Sequence, residues 1–209
     1  QSVSYGIAYP LLPPDCKVLG NPPTFLSVTR DVYLMGTHFT MGQVLQILIG
    51  IASAVGHLHS VGVMHGDVYG HNINIYPTGV PILVDFGAST MYDRYESCDC
   101  GPGRGQSNMN ESQSRSLCIH AQEGLEVRAF GCLIEELLTL VEVEVEPHAD
   151  RTDSTDQANT NTNTNTMQIN TLKSLCNDCM CLDIYCRPTF QHISTLLIVV
   201  YIYIYIVHI

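Results

Sequence analysis

Residues 62–89 read GVMHGDVYGHNINIYPTGVPILVDFGAS, and this stretch restricts the possible fold more than any other in the chain. Two short apolar runs, residues 73–75 and 81–84, flank a Pro-Thr-Gly turn, which is the pattern of a tight β-hairpin. Asn72 directly precedes the first run and Asp85 directly follows the second. A hairpin therefore brings these two side chains back toward each other at its open end. Asp67 stands five residues before Asn72, so two carboxylates and an amide are tied to one small β unit.

The flanking segments predict helices. Thr40 with Gln43 three residues later is a capping-box pattern. Val44, Leu48, Ile51, Val55 and Leu58 follow at alternating spacings of four and three, which predicts one buried helical stripe ended by Gly62. Val127, Phe130, Ile134, Leu137 and Leu138 predict a second buried helix, and residues 172–176 and 191–197 two shorter ones. The fold is thus expected to be mainly α with a small β-hairpin.

The remainder is expected to be irregular. Residues 1–39 carry Pro10, Pro13, Pro14, Pro22 and Pro23 and read as an extended connection. Residues 90–122 lack periodicity and read as a polar loop, and an insert at about 147–168, rich in Asn, Thr and Asp, is expected to be disordered. The chain then divides into residues 1–39, a folded unit over 40–197, and a low-complexity apolar tail over 198–209. Three period-two repeats, VEVEVE (141–146), NTNTNTNT (159–166) and YIYIYI (201–206), suggest expanded short nucleotide repeats. The tail after about Leu197 is accordingly not expected to pack, and its alternation reads as an exposed strand.

Composition closes off several functions. The 209 residues are enough for one domain with a substantial core. Only nine Lys and Arg face 20 Asp and Glu, a net charge of -11, and no basic cluster exists to track a phosphate backbone; nucleic-acid binding is not expected. Gln1 to Ser4 lack the charged start and apolar run of an export signal, so the nine cysteines are read as reduced and the chain as cytoplasmic. Because it begins with Gln, the chain is expected to start partway through a longer protein. Its last fourteen residues, LLIVVYIYIYIVHI, fall short of the roughly twenty needed to span a bilayer. Membrane insertion is not expected, although a tail anchor stays open.

The spaced polar residues suit phosphoryl transfer. That chemistry needs a carboxylate to orient and deprotonate the attacking hydroxyl, and oxygens to hold magnesium. Magnesium takes hard oxygen ligands and keeps several waters, so one carboxylate and one amide can suffice beside the phosphates. Asp67 can serve as the base, Asn72 and Asp85 as the metal ligands, and Gly87 as the point where the backbone turns after Asp85.

The stretch HGDVYGHN followed by VDFG resembles the catalytic and magnesium loops of eukaryotic-type protein kinases, H-R-D-x-x-x-x-N and D-F-G. IASAVGHLHSVGVMHGD (51–67) is similar to the helix leading into that loop, LEVRAFGCLIEELL (125–138) to the D-V-W-S-F-G helix of the large lobe, and CRPTF (186–190) to the R-P-T-F segment. The H-G-D spelling, with PLLPP, LGNPP and SVTRDVY upstream, resembles a subgroup found in plants, algae and bacteria. The resemblance implies a kinase-like C-terminal lobe that binds ATP and Mg2+ and phosphorylates serine or threonine of an unknown protein substrate. It places Asn74 beneath the adenine, His65 as a brace for Phe86 and Gly87, Glu126 as support for the catalytic-loop backbone, and Arg187 as a structural residue.

Departures from the family are equally visible. No glycine-rich loop or Val-Ala-Ile-Lys precedes His65, and Lys17 lies in the wrong context to pair phosphates. GPGRGQ (101–106) follows the D-F-G and lacks flanking strand patterns. Residues 5–12 resemble the last small-lobe strand and hinge, so the chain alone, with half an ATP cleft, is expected to be inactive. Gly66 replaces an arginine that receives an activation-loop phosphate, Tyr69 a lysine beside the transferred phosphoryl, Asn74 an apolar residue and Glu126 an aspartate. No A-P-E follows, which leaves Glu123 as a substitute partner for Arg187.

Two further readings stay open. The chain could be a truncated pseudokinase or an interaction module. It could also be a small-molecule kinase of the aminoglycoside or choline type, although that family lacks the FGCLIEELL and RPTF segments. His57, His59 and His71 read as surface or packing residues. Cys176, Cys179, Cys181 and Cys186 hint at zinc, but a second ligand pair at suitable spacing is missing, and Cys179 reads as a buried core thiol. Cys98 and Cys100 read as incidental loop residues.

Overall fold

The computed structural model describes residues 11–92, 111–142 and 157–207. The expectations for residues 5–10, the Gly-Pro-Gly stretch at 101–106, Cys98 and Cys100, and most of the Val-Glu repeat lie outside them. The described elements are β1 (Lys17–Val18), α1 (Met41–Ser60), β2 (Val63–Met64), β3 (Ile73–Ile75), β4 (Pro81–Leu83), β5 (Thr90–Met91), α2 (Glu111–Thr139), α3 (Gln157–Cys179) and α4 (Phe190–Val207). The domain is mainly α, with its strands gathered around the polar stretch that follows α1.

Helix α1 begins as its sequence dictates. The Thr40 hydroxyl accepts from the Gln43 N–H, and the Gln43 side chain accepts from the Thr40 N–H at 2.8 Å, so two otherwise orphaned donors are satisfied. Val44, Leu48, Ile51 and Val55 are completely buried, joined by Leu45, Ile47 and Ala52. By length and apolarity α1 could also cross a membrane, but that apolar surface is the centre of the core. The helix is succeeded by a turn at Gly62, whose φ is +75°.

The antiparallel β3–β4 hairpin pairs Ile73 with Leu83 and Ile75 with Pro81, and β1 adds a third strand beside β3. It seats tightly on α1: a side chain at Gly50 would put its Cβ 2.4 Å from the Pro81 ring. β2 pairs with β5, bringing the segment after residue 89 back beside the end of α1. Within residues 11–39, regular structure is limited to β1 and two isolated bridges, Asn21 with Val32 and Phe39 with Val141.

The core continues through Val127, Phe130, Leu133, Ile134 and Leu137 of α2, Leu172, Leu175, Cys176 and Cys179 of α3, and Phe190, Ile193, Leu197 and Val200 of α4. Phe190 meets Phe130 edge-to-face at 5.3 Å and His59 at 5.2 Å, joining α4, α2 and α1.

Three expectations change. Residues 111–122 are the first turns of α2 rather than loop. Where disorder is expected over 147–168, residues 157–168 belong to α3, which is anchored through Leu172, Leu175 and Cys179; tertiary packing of one half outweighs the weak helix propensity of Asn and Thr in the other. The tail is likewise helical rather than a strand. Phe190, Ile193, Leu197 and Val200 follow at spacings of three, four and three, and Tyr201 packs on the core, so the helix set by these residues continues into the repeat.

Candidate functional site

The polar stretch between α1 and β5 is built around one imidazole. The His65 ring is completely buried. Its Nδ1 accepts from the Asp67 N–H at 3.3 Å, which leaves Nε2–H to donate to the Val84 carbonyl at 3.0 Å. The ring also meets Phe86 edge-on at 4.7 Å. His65 thereby connects the loop carrying Asp67 to the strand end carrying Asp85.

Gly66 sits between them at φ +84°, and a Cβ there would stand 2.4 Å from the Ala88 carbonyl oxygen. No side chain fits without moving the turn at residues 86–88. Its N–H donates to Glu126 Oε1 at 2.6 Å, while Glu126 Oε2 lies 2.6 Å from His59 Nε2. A carboxylate only accepts, so the His59 N–H donates. The Glu126 side chain is almost wholly buried, and it ties α2 to both α1 and the loop.

Asp67 and Asn72 meet directly. Asn72 Nδ2 donates to Asp67 Oδ2 at 2.6 Å and to the Asp67 carbonyl at 3.0 Å. With its amino group so used, Asn72 keeps its amide oxygen for other partners. The hairpin places Val84 opposite Asn72, its N–H donating to the Asn72 carbonyl at 2.9 Å, so Asp85 emerges at the same end. Asp85 takes a left-handed conformation, φ 59° and ψ 75°, and its Oδ1 accepts from the Gly87 N–H at 3.1 Å. The sharp turn expected at Gly87 is therefore made by Asp85 itself. Aspartate tolerates this region because its short side chain hydrogen-bonds locally. Gly87 serves close approach instead, since a Cβ there would stand 3.0 Å from Asp85 Oδ1.

Asp85 Oδ2 and Asn72 Oδ1 are hard oxygens on neighbouring ends of the hairpin, the donor type that magnesium takes alongside phosphate and water. Among the described residues no three His, Cys, Asp or Glu side chains gather as a metal site, and the four cysteines near residue 180 form no zinc cluster. Cys179 is instead a core thiol, pushed up to about 12 by burial.

Asn74 lies mid-hairpin, opposite Val18 on β1 and Ile82 on β4, two residues beyond Asn72. Arg187 is buried; its Nε donates to the Cys181 carbonyl at 2.9 Å and Nη1 to the Gly124 carbonyl at 2.7 Å. Backbone carbonyls thus hold this guanidinium against α2. Glu123, expected beside Arg187, accepts from the Tyr92 hydroxyl, which ties the segment after β5 to α2.

Sequence reasoning missed a second polar layer. Asp31 is buried and accepts from the His71 N–H at 2.9 Å and from its Nδ1–H at 2.8 Å. His71, read as surface or packing, therefore joins the loop to a residue forty positions earlier. Tyr33 donates to Glu136 at 2.9 Å; burial first, then the Glu136 carboxylate, pushes its phenol well above the usual range. Burial also raises the Glu136 carboxyl despite the Tyr33 hydrogen bond and nearby Arg30. The Pro-rich context hid this segment, since nothing in its local pattern marks Asp31 as buried.

Comparison with known proteins agrees with this geometry. The family profile described as protein tyrosine and serine/threonine kinase matches residues 19–197. A fission yeast relative, protein kinase kin1 of Schizosaccharomyces pombe, is 32% identical over 92 residues, covering 34% of this chain and 10% of the relative. The chain thus spans about a tenth of that relative's length. With most of its residues matched, from just after β1 to Leu197 in α4, this chain belongs to the protein tyrosine and serine/threonine kinase family.

Proposed function

We propose that this chain supplies the acceptor and metal side of a phosphoryl-transfer site which, in the full-length protein, passes the γ-phosphoryl of ATP to a serine or threonine hydroxyl of a protein. The observation that carries the reading is the join between Asp67 and Asn72 at 2.6 Å, at the end of a hairpin whose other strand delivers Asp85. Asn72 Oδ1 and Asp85 Oδ2 would hold Mg2+, which when bound neutralises phosphate charge during transfer. Asp67, oriented by Asn72, accepts the proton of the incoming hydroxyl. Its side chain is 37% exposed, so a substrate can reach it. Asn74 would lie beneath the adenine, two residues along the hairpin from Asn72.

Radiolabelled phosphate transfer from ATP to a mixed protein substrate tests this reading. The full-length wild-type protein should label serine and threonine, and Asp67→Asn in the same protein should lose the label while still binding Mg-ATP. Labelling that persists in Asp67→Asn contradicts the role of Asp67.

One observation favours a second reading, a pseudokinase that binds nucleotide without turnover. Lys17, the sole lysine ahead of the catalytic loop, is exposed on β1 opposite Ile75, near the turn end of the hairpin. Saturable Mg-ATP binding with no transfer in wild type selects it.

A further inference from the structure

Residues 30–33 form a short strap between α2 and the loop that carries Asp67. Arg30 reaches α2 three times, with ion pairs to Glu135 and, at 3.6 Å, to Glu136, and a hydrogen bond from Nη1 to the Cys132 carbonyl at 3.2 Å. Tyr33 reaches it again through Glu136. Backbone hydrogen bonds between Asn21 and Val32, at 2.8 and 3.0 Å, close the base of the strap. Asp31, between these anchors, turns inward with a side chain that has no exposure at all.

Burying a carboxylate this fully is unfavourable unless its oxygens are satisfied. Both are satisfied by one residue. Oδ2 takes the His71 main-chain N–H and Oδ1 the ring Nδ1–H, so backbone and side chain of residue 71 are fixed together. Its neighbours are seated on the same strap. A Cβ at Gly70 would stand 2.8 Å from the Tyr33 hydroxyl and 3.0 Å from Asp31 Oδ2. Tyr69 stacks on the His71 ring with centroids 5.7 Å apart and planes 20° from parallel. Beyond His71, Asn72 donates to Asp67, and the far edge of the His71 ring lies 3.5 Å from Asp67 Oδ2.

We propose that Asp31 is a positioning residue for this site: by holding His71 at two points it sets where Asn72, and through it the Asp67 carboxylate, stand. The proposal rests on the reading of Asp67 and Asn72 as phosphoryl-transfer residues. Asp31 touches neither substrate nor metal in that reading and acts only through residues 69–72. Reacting groups held to within about an ångström are worth up to roughly a hundredfold in rate, which is the scale on which such a clamp acts.

The test compares wild type with Asp31→Asn, which keeps the shape but removes one acceptor, and with Gly70→Ala, which pushes the loop off the strap from the other side. Three quantities are read: the NMR shifts of the Asn72 side-chain amide, hydrogen exchange at the His71 N–H, and, in the full-length protein, kcat with KM for ATP. The expected result is a displaced Asn72 amide and faster His71 exchange in both variants, with α1 protection unchanged. The same variants should lose about ten- to a hundredfold in kcat while KM for ATP stays within about twofold. An unmoved Asn72 amide in both variants overturns the proposal, and so does a displaced amide with unchanged kcat. Absence of turnover in wild type defeats the phosphotransfer reading instead, and the NMR and exchange measurements then decide Asp31 alone.

Discussion

Glu126 accepts the Gly66 N–H at 2.6 Å through one oxygen and meets His59 Nε2 at 2.6 Å through the other. One buried carboxylate thereby fixes the end of α1 and the start of the loop carrying Asp67 to α2. Glu126→Ala leaves the Gly66 N–H and the buried His59 imidazole without their acceptor. It should destabilise the fold by about 2–4 kcal/mol in urea melts. Glu126→Gln retains an acceptor for Gly66 and should lose roughly half as much. Equal stability of Glu126→Ala and wild type would remove Glu126 from this role.

Gly66 is required by its backbone and by its neighbour. At φ +84°, any other residue meets both left-handed strain and the Ala88 carbonyl. Gly66→Ala should cost at least about 1–2 kcal/mol from the backbone alone. It should also shift the backbone amide resonances of residues 86–88, which NMR reads directly. The arginine of the family's more common spelling should be no better tolerated, because the clash arises at Cβ.

The pH dependence of stability should carry the signature of Glu136. Burial raises its carboxyl in the folded state. The folded form therefore holds that proton more tightly than the unfolded chain, so the contribution is complete below the ordinary carboxyl range and is lost as pH rises through the raised value. Urea melts from pH 4 to pH 7 should show wild type losing stability relative to Glu136→Gln as pH rises. A constant difference between the two proteins across that range contradicts the sign.

Cys179 should resist alkylation in the native chain. Its side chain is fully buried and its thiol is pushed up to about 12. At pH 8.5, where an ordinary cysteine is about half thiolate, only on the order of one in a thousand Cys179 side chains ionises. Iodoacetamide followed by mass spectrometry should find Cys179 unlabelled until the protein is unfolded. Labelling at native-state rates equal to those of exposed Cys186 argues against its place in the core.

What the sequence disclosed, and what it hid, follows from the range of each signal. The capping box at Thr40, the α1 stripe and the hairpin bounds are local patterns, and the folded chain keeps all three. The meeting of Asn72 with Asp67 is also short-range, five residues apart on one loop. Asp31 and His71, forty residues apart, carry no such local mark, and neither does the bond from Tyr33 to Glu136. The Asn-Thr and Tyr-Ile repeats misled for a different reason. Their composition repeats every two residues, but they belong to helices anchored outside them, α3 by Leu172, Leu175 and Cys179 and α4 by Phe190, Ile193, Leu197 and Val200. The turn at residues 85–87 was placed correctly but assigned to Gly87, because the left-handed tolerance of aspartate is the weaker prior.

The central claim is that Asn72 and Asp85, at one end of the hairpin, hold a magnesium-bound nucleotide. Calorimetric titration of ATP into the chain, with and without Mg2+, tests it most directly in wild type and Asp85→Ala. Wild type should bind saturably and only with Mg2+, and Asp85→Ala should lose at least about tenfold in affinity while melting at an unchanged temperature without ligand. Equal Mg-dependent affinity in the two proteins, or no binding to wild type, would contradict the claim.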